Sequence, residues 1–469
     1  VTPSSPEELP PLFDTHAHLD VEPLAGRDDA VVARASAAGV TRIVTVGIDG
    51  ASSLRAVELA AKHGGVYAAV GVHPHDSAGL SDDTLSALES LARRDKVVAV
   101  GETGLDFYRD RAPRPVQEGA FREQIRLARR LGLPVIVHDR DAHGEVLSIL
   151  KEEKAGEAGG ILHCFSGDLS FAREVARLGF LVSIPGTVTY PKGTEKLVET
   201  VRELPLKHLL LETDCPYLAP VPHRGKANEP SFVPLVASAV AAIRGLSPAD
   251  VARETTWNAL RLFRIPADEE EGRIAYRIRN SLYLNVTNRC TNGCVFCAKR
   301  GDFHVKGHPL KLDREPSVEE IVAAAGEVGR YDEVVFCGFG EPLLRVEAVT
   351  EAGRELKRRG ARSIRVNTDG LANLVHGRNV LPELAGVVDA LSVSLNAPDA
   401  ESYGRICPNR YGPSSFDALL AFLREAPAFV GEVTATAVAL PGLDTDAVER
   451  LAASIPRVSF RLRPFDDVG

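Results

Sequence analysis

Six side chains in the first half of the sequence are of the types that bind divalent ions: His16, His18, Glu102, His138, His163 and Asp214. His16 and His18 lie two apart in Phe13-Asp-Thr-His-Ala-His-Leu-Asp20. On a strand, residues two apart point to one side, so both imidazoles can reach one ion. Two cations close together need a bridging anion, which a carboxylate such as Glu102 can supply. Neutral imidazoles in the other positions suit zinc, manganese or iron more than magnesium. Such ions make a bound water easier to deprotonate, and Asp214 could bind an ion and take or orient that proton.

The second half carries a different chemistry. Cys290, Cys294 and Cys297 stand in Asn285-Val-Thr-Asn-Arg-Cys-Thr-Asn-Gly-Cys-Val-Phe-Cys297. Three thiolates at this spacing can cap three irons of a [4Fe–4S] cube and leave the fourth open. Electron-transfer clusters use four Cys, and a structural zinc site would need a fourth ligand, for which His304 or His308 is available.

These residues need elements to hold them. Eight short apolar runs occupy the first half: Leu12–Leu19, Val40–Ile48, Val66–His73, Val97–Gly104, Pro134–Asp139, Ile161–Phe165, Phe180–Ile184 and His208–Asp214. Helix-like stretches such as Leu54–His63, Thr84–Arg93, Val116–Leu131 and Pro248–Phe263 lie between or after them. Nearly continuous apolar strands alternating with helices mean a parallel sheet. Eight units in about 250 residues is the size of a (β/α)8 TIM barrel. The six ligand candidates fall at the C-terminal ends of five strands, where parallel barrels place their sites. A lone His in an apolar strand is ordinarily a packed core residue; the shared end is what gives this set its weight.

After Phe263 comes the acidic run Pro266-Ala-Asp-Glu-Glu-Glu-Gly272, a linker by composition. Six further strands follow, at Tyr283–Thr287, Glu333–Gly338, Ser363–Asn367, Ala390–Asn396, Val433–Leu440 and Ser459–Pro464. Six are too few to close an eight-stranded barrel, so an open, partial (β/α)6 barrel is expected. The expected division is a disordered leader over 1–10, a hydrolase domain over 11–265, a linker over 266–272 and a second catalytic domain over 273–469.

The 469 residues carry a net charge of −9, which argues against a broad nucleic-acid groove but not against a small site charged by its metals. No stretch reaches the ~18 unbroken apolar residues of a membrane helix, and the first residues lack the basic and apolar regions of a secretory signal. Seven Cys make a poor disulfide framework, and the tight triad fits metal binding in a reducing compartment, hence the cytoplasm. Cys337 and Cys407 form no second cluster motif, though Cys407 is a candidate substrate-side thiol; Cys164 and Cys215 read as buried packing residues.

From Leu12 to Phe263 the sequence resembles the TatD-type metal-dependent hydrolases. The matching motifs are Phe13–Asp20, Gly71-Val-His-Pro-His75, Gly101-Glu-Thr-Gly-Leu-Asp106, His163-Cys-Phe-Ser-Gly167, Glu212-Thr-Asp-Cys-Pro-Tyr217 and Arg224-Gly-Lys-Ala-Asn-Glu-Pro230. The resemblance implies hydrolysis of phosphodiesters at DNA 3′ ends by two divalent ions (zinc, manganese or magnesium). His16, His18 and Asp214 would hold one, His138 and His163 the other, and Glu102 would bridge. His73, His75 and Arg224 have no metal role in that scheme and are candidate phosphate or leaving-group contacts. A small ester, an amide or an aminoacyl-tRNA stays open as the substrate.

The second half resembles the radical S-adenosylmethionine (SAM) superfamily. The C-x3-C-x2-C motif follows a strand, with the aromatic Phe296 before its last Cys. Gly338-Phe-Gly-Glu-Pro342 is similar to the glycine-rich motif that binds the SAM amino group, with Glu341 as acceptor. Gly338 and Gly340 would let the backbone approach the ligand. Asn367, Ser394 and Asn396, at the ends of the third and fourth strands, resemble ribose contacts. The resemblance implies a [4Fe–4S] cluster, SAM, and an electron donor such as flavodoxin or ferredoxin; the radical's substrate, a nucleotide or a peptide among others, is not implied. As a whole the chain resembles radical SAM proteins fused to TatD-type hydrolases.

Overall fold

The computed structural model describes residues 9–267, 271–301 and 303–465. The expected leader over 1–10 lies outside them except for its last two residues, as do residues 268–270 of the expected linker. The chain divides into two compact units, Val1–Ala267 and Asp268–Gly469.

In the first unit the apolar runs form β1 (Leu12–Ala17), β2 (Val40–Val46), β3 (Val66–Val70), β4 (Val97–Asp106), β5 (Val135–Arg140), β6 (Gly160–Leu162), β7 (Phe180–Ile184) and β8 (Leu209–Leu211). They pair in parallel in sequence order. The sheet closes where Asp214 N donates to His16 O at 2.9 Å and His18 N to Cys215 O at 2.8 Å. This is the closed eight-stranded barrel expected. Most strands end two or three residues earlier than the apolar pattern suggests, because their last residues leave the ladder to form the site. Conversely, the helices Gly50–Lys62, Asp82–Ala92 and Arg114–Leu131 begin two to four residues before the apolar periodicity does. The first two start at polar caps: Asp49 accepts from Ser52 N at 2.7 Å while Ser52 Oγ accepts from Asp49 N at 2.9 Å, and Ser81 Oγ accepts from Thr84 N at 3.2 Å.

Two bulges aim the site. The β1–β2 register slips between Asp14 and Ala17, and the β4–β5 register slips between Val100 and Thr103. Each puts an extra residue into a strand and turns its side chain. Regular alternation therefore does not hold at His16, although both imidazoles still arrive together. Just past the second bulge only glycine fits: a Cβ on Gly104 (φ +140°) would stand 2.0 Å from His138 O.

In the second unit six parallel strands, β10 (Ser281–Leu284), β13 (Glu333–Phe336), β14 (Ile364–Thr368), β15 (Ala390–Ser394), β16 (Glu432–Ala439) and β17 (Ser459–Pro464), correspond to those expected, though β10 starts two residues and ends three residues earlier than Tyr283–Thr287. The sheet nevertheless has seven strands, because β9 (Ala275–Ile278) pairs antiparallel with β10 at its edge. A small hairpin of β11 (His304–Val305) and β12 (His308–Pro309) also escapes the pattern; its two-residue strands are half polar and form no apolar run. The architecture is an open, partial barrel. One face is apolar (Leu282, Leu284, Val334, Phe336, Val366, Val393, Ala435) and lies in the core. The other carries Tyr283, Arg365, Asn367, Ser392, Ser394 and Thr434 by strand parity. Among the described residues no single helix is long and apolar enough to cross a membrane.

Candidate active sites

The two oxygens of Glu102 face two separate groups of donors. Oε2 lies 3.5 Å from His16 Nε2 and 3.7 Å from His18 Nε2. Asp214 Oδ1 completes that side, 3.8 and 3.6 Å from the same two nitrogens. Oε1 lies 2.8 Å from both His138 Nδ1 and His163 Nε2, and 3.5 Å from His73 Nε2. The six expected donors are thus brought together, with Glu102 between the two sets. His16 Nε2 and His18 Nε2 face each other at 3.2 Å. Ring nitrogens crowded this way around a buried carboxylate fit divalent ions in donor chemistry and in convergence. Three donor groups could hold an ion here: His16, His18 and Asp214; His73, Glu102 and His138; and His16, His163 and Glu212. His73 stands closer to the donors than the substrate role expected for it.

Outer partners fix the rings. His18 Nδ1 lies 3.0 Å from Val46 O, which aims Nε2 into the site. Asp106 Oδ2 lies 2.8 Å from His75 Nε2 and 3.3 Å from His138 Nε2, while its Oδ1 accepts from Arg109 N at 2.7 Å. His75 is thereby tied to Asp106. Buried Gln124 clamps the two flanking strands: its Nε2 donates to Thr103 Oγ1 at 2.7 Å and Val72 O at 3.0 Å, and its Oε1 accepts from Val72 N at 2.7 Å. Gln117 Oε1 accepts from Asp106 N at 2.8 Å. Asp14, wholly buried, accepts from Thr213 N at 2.9 Å and Thr213 Oγ1 at 2.6 Å, tying β1 to the chain after β8. Sequence reading missed Asp106, Gln117, Gln124 and Glu212; only Asp106 and Glu212 had any signal, as members of the motifs. Asp214 itself holds a left-handed backbone, φ +55°, of the kind that clusters at functional sites.

Electrostatics divide the imidazoles. Burial lowers His16 to about 4 and His73 to about 3. Against burial, Asp214 and Glu102 hold His18 up near 9, and Asp106 and Glu102 do the same for His138. Glu102 stays well below the usual carboxylate range despite its burial, held there by His163 and His73. Burial pushes Glu212 up to about 7 and Asp14 to about 8.

A cavity of about 1080 Å³ opens over these residues. Arg109, Arg111, Arg140, Lys192 and Lys196 line it, together with Asp76, Asp139 and Glu195. Tyr190 and Tyr217 add aromatic surface. Arg224 is exposed and stacks on Tyr190, 4.4 Å from the ring centroid. Cys215 is buried as expected, whereas Cys164 lines the cavity.

In the second unit the three cysteines sit on the loop after β10, and none is in a disulfide. Cys290 is exposed. The glycine motif packs directly on this loop: a Cβ on Gly340 would stand 2.2 Å from Thr287 O and 2.5 Å from Arg289 O, and one on Gly338 2.1 Å from Asn285 Oδ1. The glycines therefore serve a close approach between protein segments. Glu341 is buried; its Oε1 accepts from Thr368 Oγ1 (2.8 Å) and Leu343 N (2.9 Å), and its Oε2 from Asp369 N (2.6 Å). Burial and the neighbouring Asp369 push its carboxyl well up. Asn367 accepts from Arg365, Ser394 ends β15, and Phe296 packs on the core. His308, offered above as a zinc ligand, is buried with Nε2 3.0 Å from Arg277 O.

Comparison with known proteins agrees with both halves. The TatD related DNase family matches residues 13–264, and the radical SAM superfamily matches 284–455. The uncharacterized metal-dependent hydrolase YabD of Bacillus subtilis is 46% identical over 54% of this chain and 99% of its own length. The 3′-5′ ssDNA/RNA exonuclease TatD of Klebsiella pneumoniae is 37% identical over 54% of this chain and 98% of its own. The crystal structure of the TatD homolog YjjV from Escherichia coli superposes with a TM-score of 0.52 at 35% identity, covering 54% of this chain and 98% of that one. The chain belongs to the TatD-related DNase family, as a metal-dependent hydrolase domain fused to a radical SAM enzyme domain.

Proposed function

We propose that the first domain hydrolyses phosphodiesters at the 3′ ends of single-stranded nucleic acid. The observation that carries this reading is the division of Glu102 between two donor sets beneath a cavity whose lining includes five Arg and Lys side chains. His16, His18 and Asp214 would hold one ion, His138 and His163 the other, with Glu102 bridging. Ions held there would polarise the phosphodiester and make a water nucleophilic at neutral pH. The protein's own part is to orient and neutralise. Asp214 takes the proton of the attacking water. Arg109, Arg140 and Lys192 offset the phosphate charge along the strand. His75, tied to Asp106, stands ready for the leaving group, and Arg224 with Tyr190 offers a stacking surface at the rim. The exonuclease name of one relative supports this substrate. On 5′-labelled single-stranded DNA with added divalent metal, a ladder shortened from the 3′ end is expected, and none with Glu102→Ala. Intact DNA under every metal tested would refute the nuclease assignment.

For the second domain we propose that Cys290, Cys294 and Cys297 hold a [4Fe–4S] cluster in a reducing compartment such as the cytoplasm, served by a donor such as flavodoxin or ferredoxin. The chemistry such a cluster supplies is one electron for the cleavage of SAM to methionine and a 5′-deoxyadenosyl radical. Phe296, Gly338, Gly340, Glu341, Asn367, Ser394 and Asn396 would form the SAM cradle, with residues 273–469 as the domain and 266–272 as its linker. After anaerobic reconstitution with iron and sulfide, SAM and a reductant should give 5′-deoxyadenosine in wild type and none in Cys294→Ala. None in either, with a full cluster, would reject the reading.

A further inference from the structure

The loop that carries the three cysteines is zipped to a distant segment. Gly293 N donates to Pro408 O at 2.8 Å and Val295 N to Ile406 O at 2.9 Å. Asn292 forms an antiparallel bridge with Asn409, and its Nδ2 donates to the buried Tyr403 Oη at 3.0 Å. These bonds flank Cys294 on one strand of the zipper and Cys407 on the other. The two Sγ atoms lie 3.3 Å apart. Cys407 is completely buried, so it is not a thiol offered to a substrate. On its other side, Asn396 Nδ2 donates to Cys407 Sγ at 3.5 Å. Asn396 is itself buried and held in a left-handed backbone, φ +57°, with its N–H bonded to Thr436 O at 3.2 Å.

The directions of these bonds follow from what each group can give. A cysteine that ligates iron has lost its proton and can only accept. A thiol has one proton to donate and a sulfur that accepts. Asn396 occupies the accepting side of Cys407, which leaves its S–H to turn toward the one sulfur beside it. We propose that Cys407 is a positioning residue of the cluster, its thiol donating a hydrogen bond to the Cys294 sulfur and Asn396 fixing that direction. The inference rests on the reading of Cys290, Cys294 and Cys297 as cluster ligands. Hydrogen bonds to cluster sulfurs draw off electron density, stabilise the reduced state and raise the reduction potential. Cys407 thus makes the cluster easier to reduce without touching SAM or substrate.

The test is an anaerobic redox titration of the reconstituted full chain, followed by electron paramagnetic resonance, for wild type, Cys407→Ala and Cys407→Ser, with iron and sulfide content measured in each. All three should load equally. At the poise where half the wild-type cluster is reduced, Cys407→Ala should show a reduced-to-oxidised ratio lower by about threefold to tenfold, tenfold being about 59 mV for one electron. Cys407→Ser keeps an O–H donor and should recover most of the difference. Equal midpoints in wild type and Cys407→Ala at equal loading would overturn the proposal, as would a serine variant no better than alanine. Should the alanine variant load poorly, wild type alone decides: an exchangeable proton coupled to the cluster in electron–nuclear double resonance supports the hydrogen bond, and its absence overturns it. Failure of wild type to assemble any cluster would be a different result, rejecting the cysteine triad as ligands.

Discussion

The two candidate sites are built in opposite ways. In the first domain every donor stands on or just beyond a barrel strand, and the donors touch one another: His138 and His163 each lie 2.8 Å from Glu102. In the second, the three cysteines ride a loop, and that loop is held from outside by residues 406–409. The barrel site is therefore formed by closing the sheet itself, with bulges and glycines doing the aiming. The cysteine loop depends on a second segment more than a hundred residues away. The lesson is that the first site should fail through its donors, the backbone that aims them and Asp106, which braces them from the same sheet. The second should also respond to a segment distant in the sequence.

The sharpest break on the barrel side is Glu102→Ala, which removes the group shared by both donor sets. Hydrolysis should fall by about 10³-fold or more, measured as kcat/KM on single-stranded DNA. A fall below tenfold would mean that Glu102 is not shared. Gly104→Ala comes next, because a Cβ there meets a backbone carbonyl. It should destabilise the first domain by about 2 kcal/mol or more. In a melt following both domains, only the barrel transition should move.

Asp106→Ala leaves every proposed ligand in place but frees His138 and His75. A loss of about 10- to 100-fold in metal affinity is expected, read by competition with a chelator. The pH dependence of that affinity follows from the raised imidazoles. Without ions, His18 and His138 have pKa values near 9, so at pH 7 both are protonated, while His16 and His73 are neutral. Binding an ion must displace those protons. Apparent affinity should rise about tenfold per pH unit for each displaced proton up to pH 9 and then level off. Calorimetry in buffers of different ionisation enthalpy measures the release directly; no proton release at pH 7 would contradict the assignment. The smallest effect belongs to the loop. Tyr403→Phe removes one acceptor from Asn292 and should speed cluster loss a few-fold, about what one hydrogen bond contributes.

Much of this was legible in the sequence, and the limits are physical. The six donors could be found because strand-end position and the spacing of His16 and His18 are local properties. The eight barrel strands were legible for the same reason, as were the six parallel strands of the second sheet. Gln117 and Gln124 act only through the folded packing of their helix on β4 and the chain after β3. The nearness of His73 to Glu102 depends on the bulge in β4. The contact between Cys294 and Cys407 spans 113 residues, and no periodicity encodes it. Strand β9 was missed because Arg277 interrupts its apolar residues, so it offers no continuous apolar run.

The central proposal is that two ions would share Glu102 in the barrel. The most direct measurement is electron paramagnetic resonance of the full chain loaded with Mn(II), with metal content determined on the same sample. Two manganese ions per chain with an exchange-coupled spectrum are predicted, and coupling should vanish in Glu102→Ala. A single ion per chain with an uncoupled six-line signal in the wild type would contradict the account.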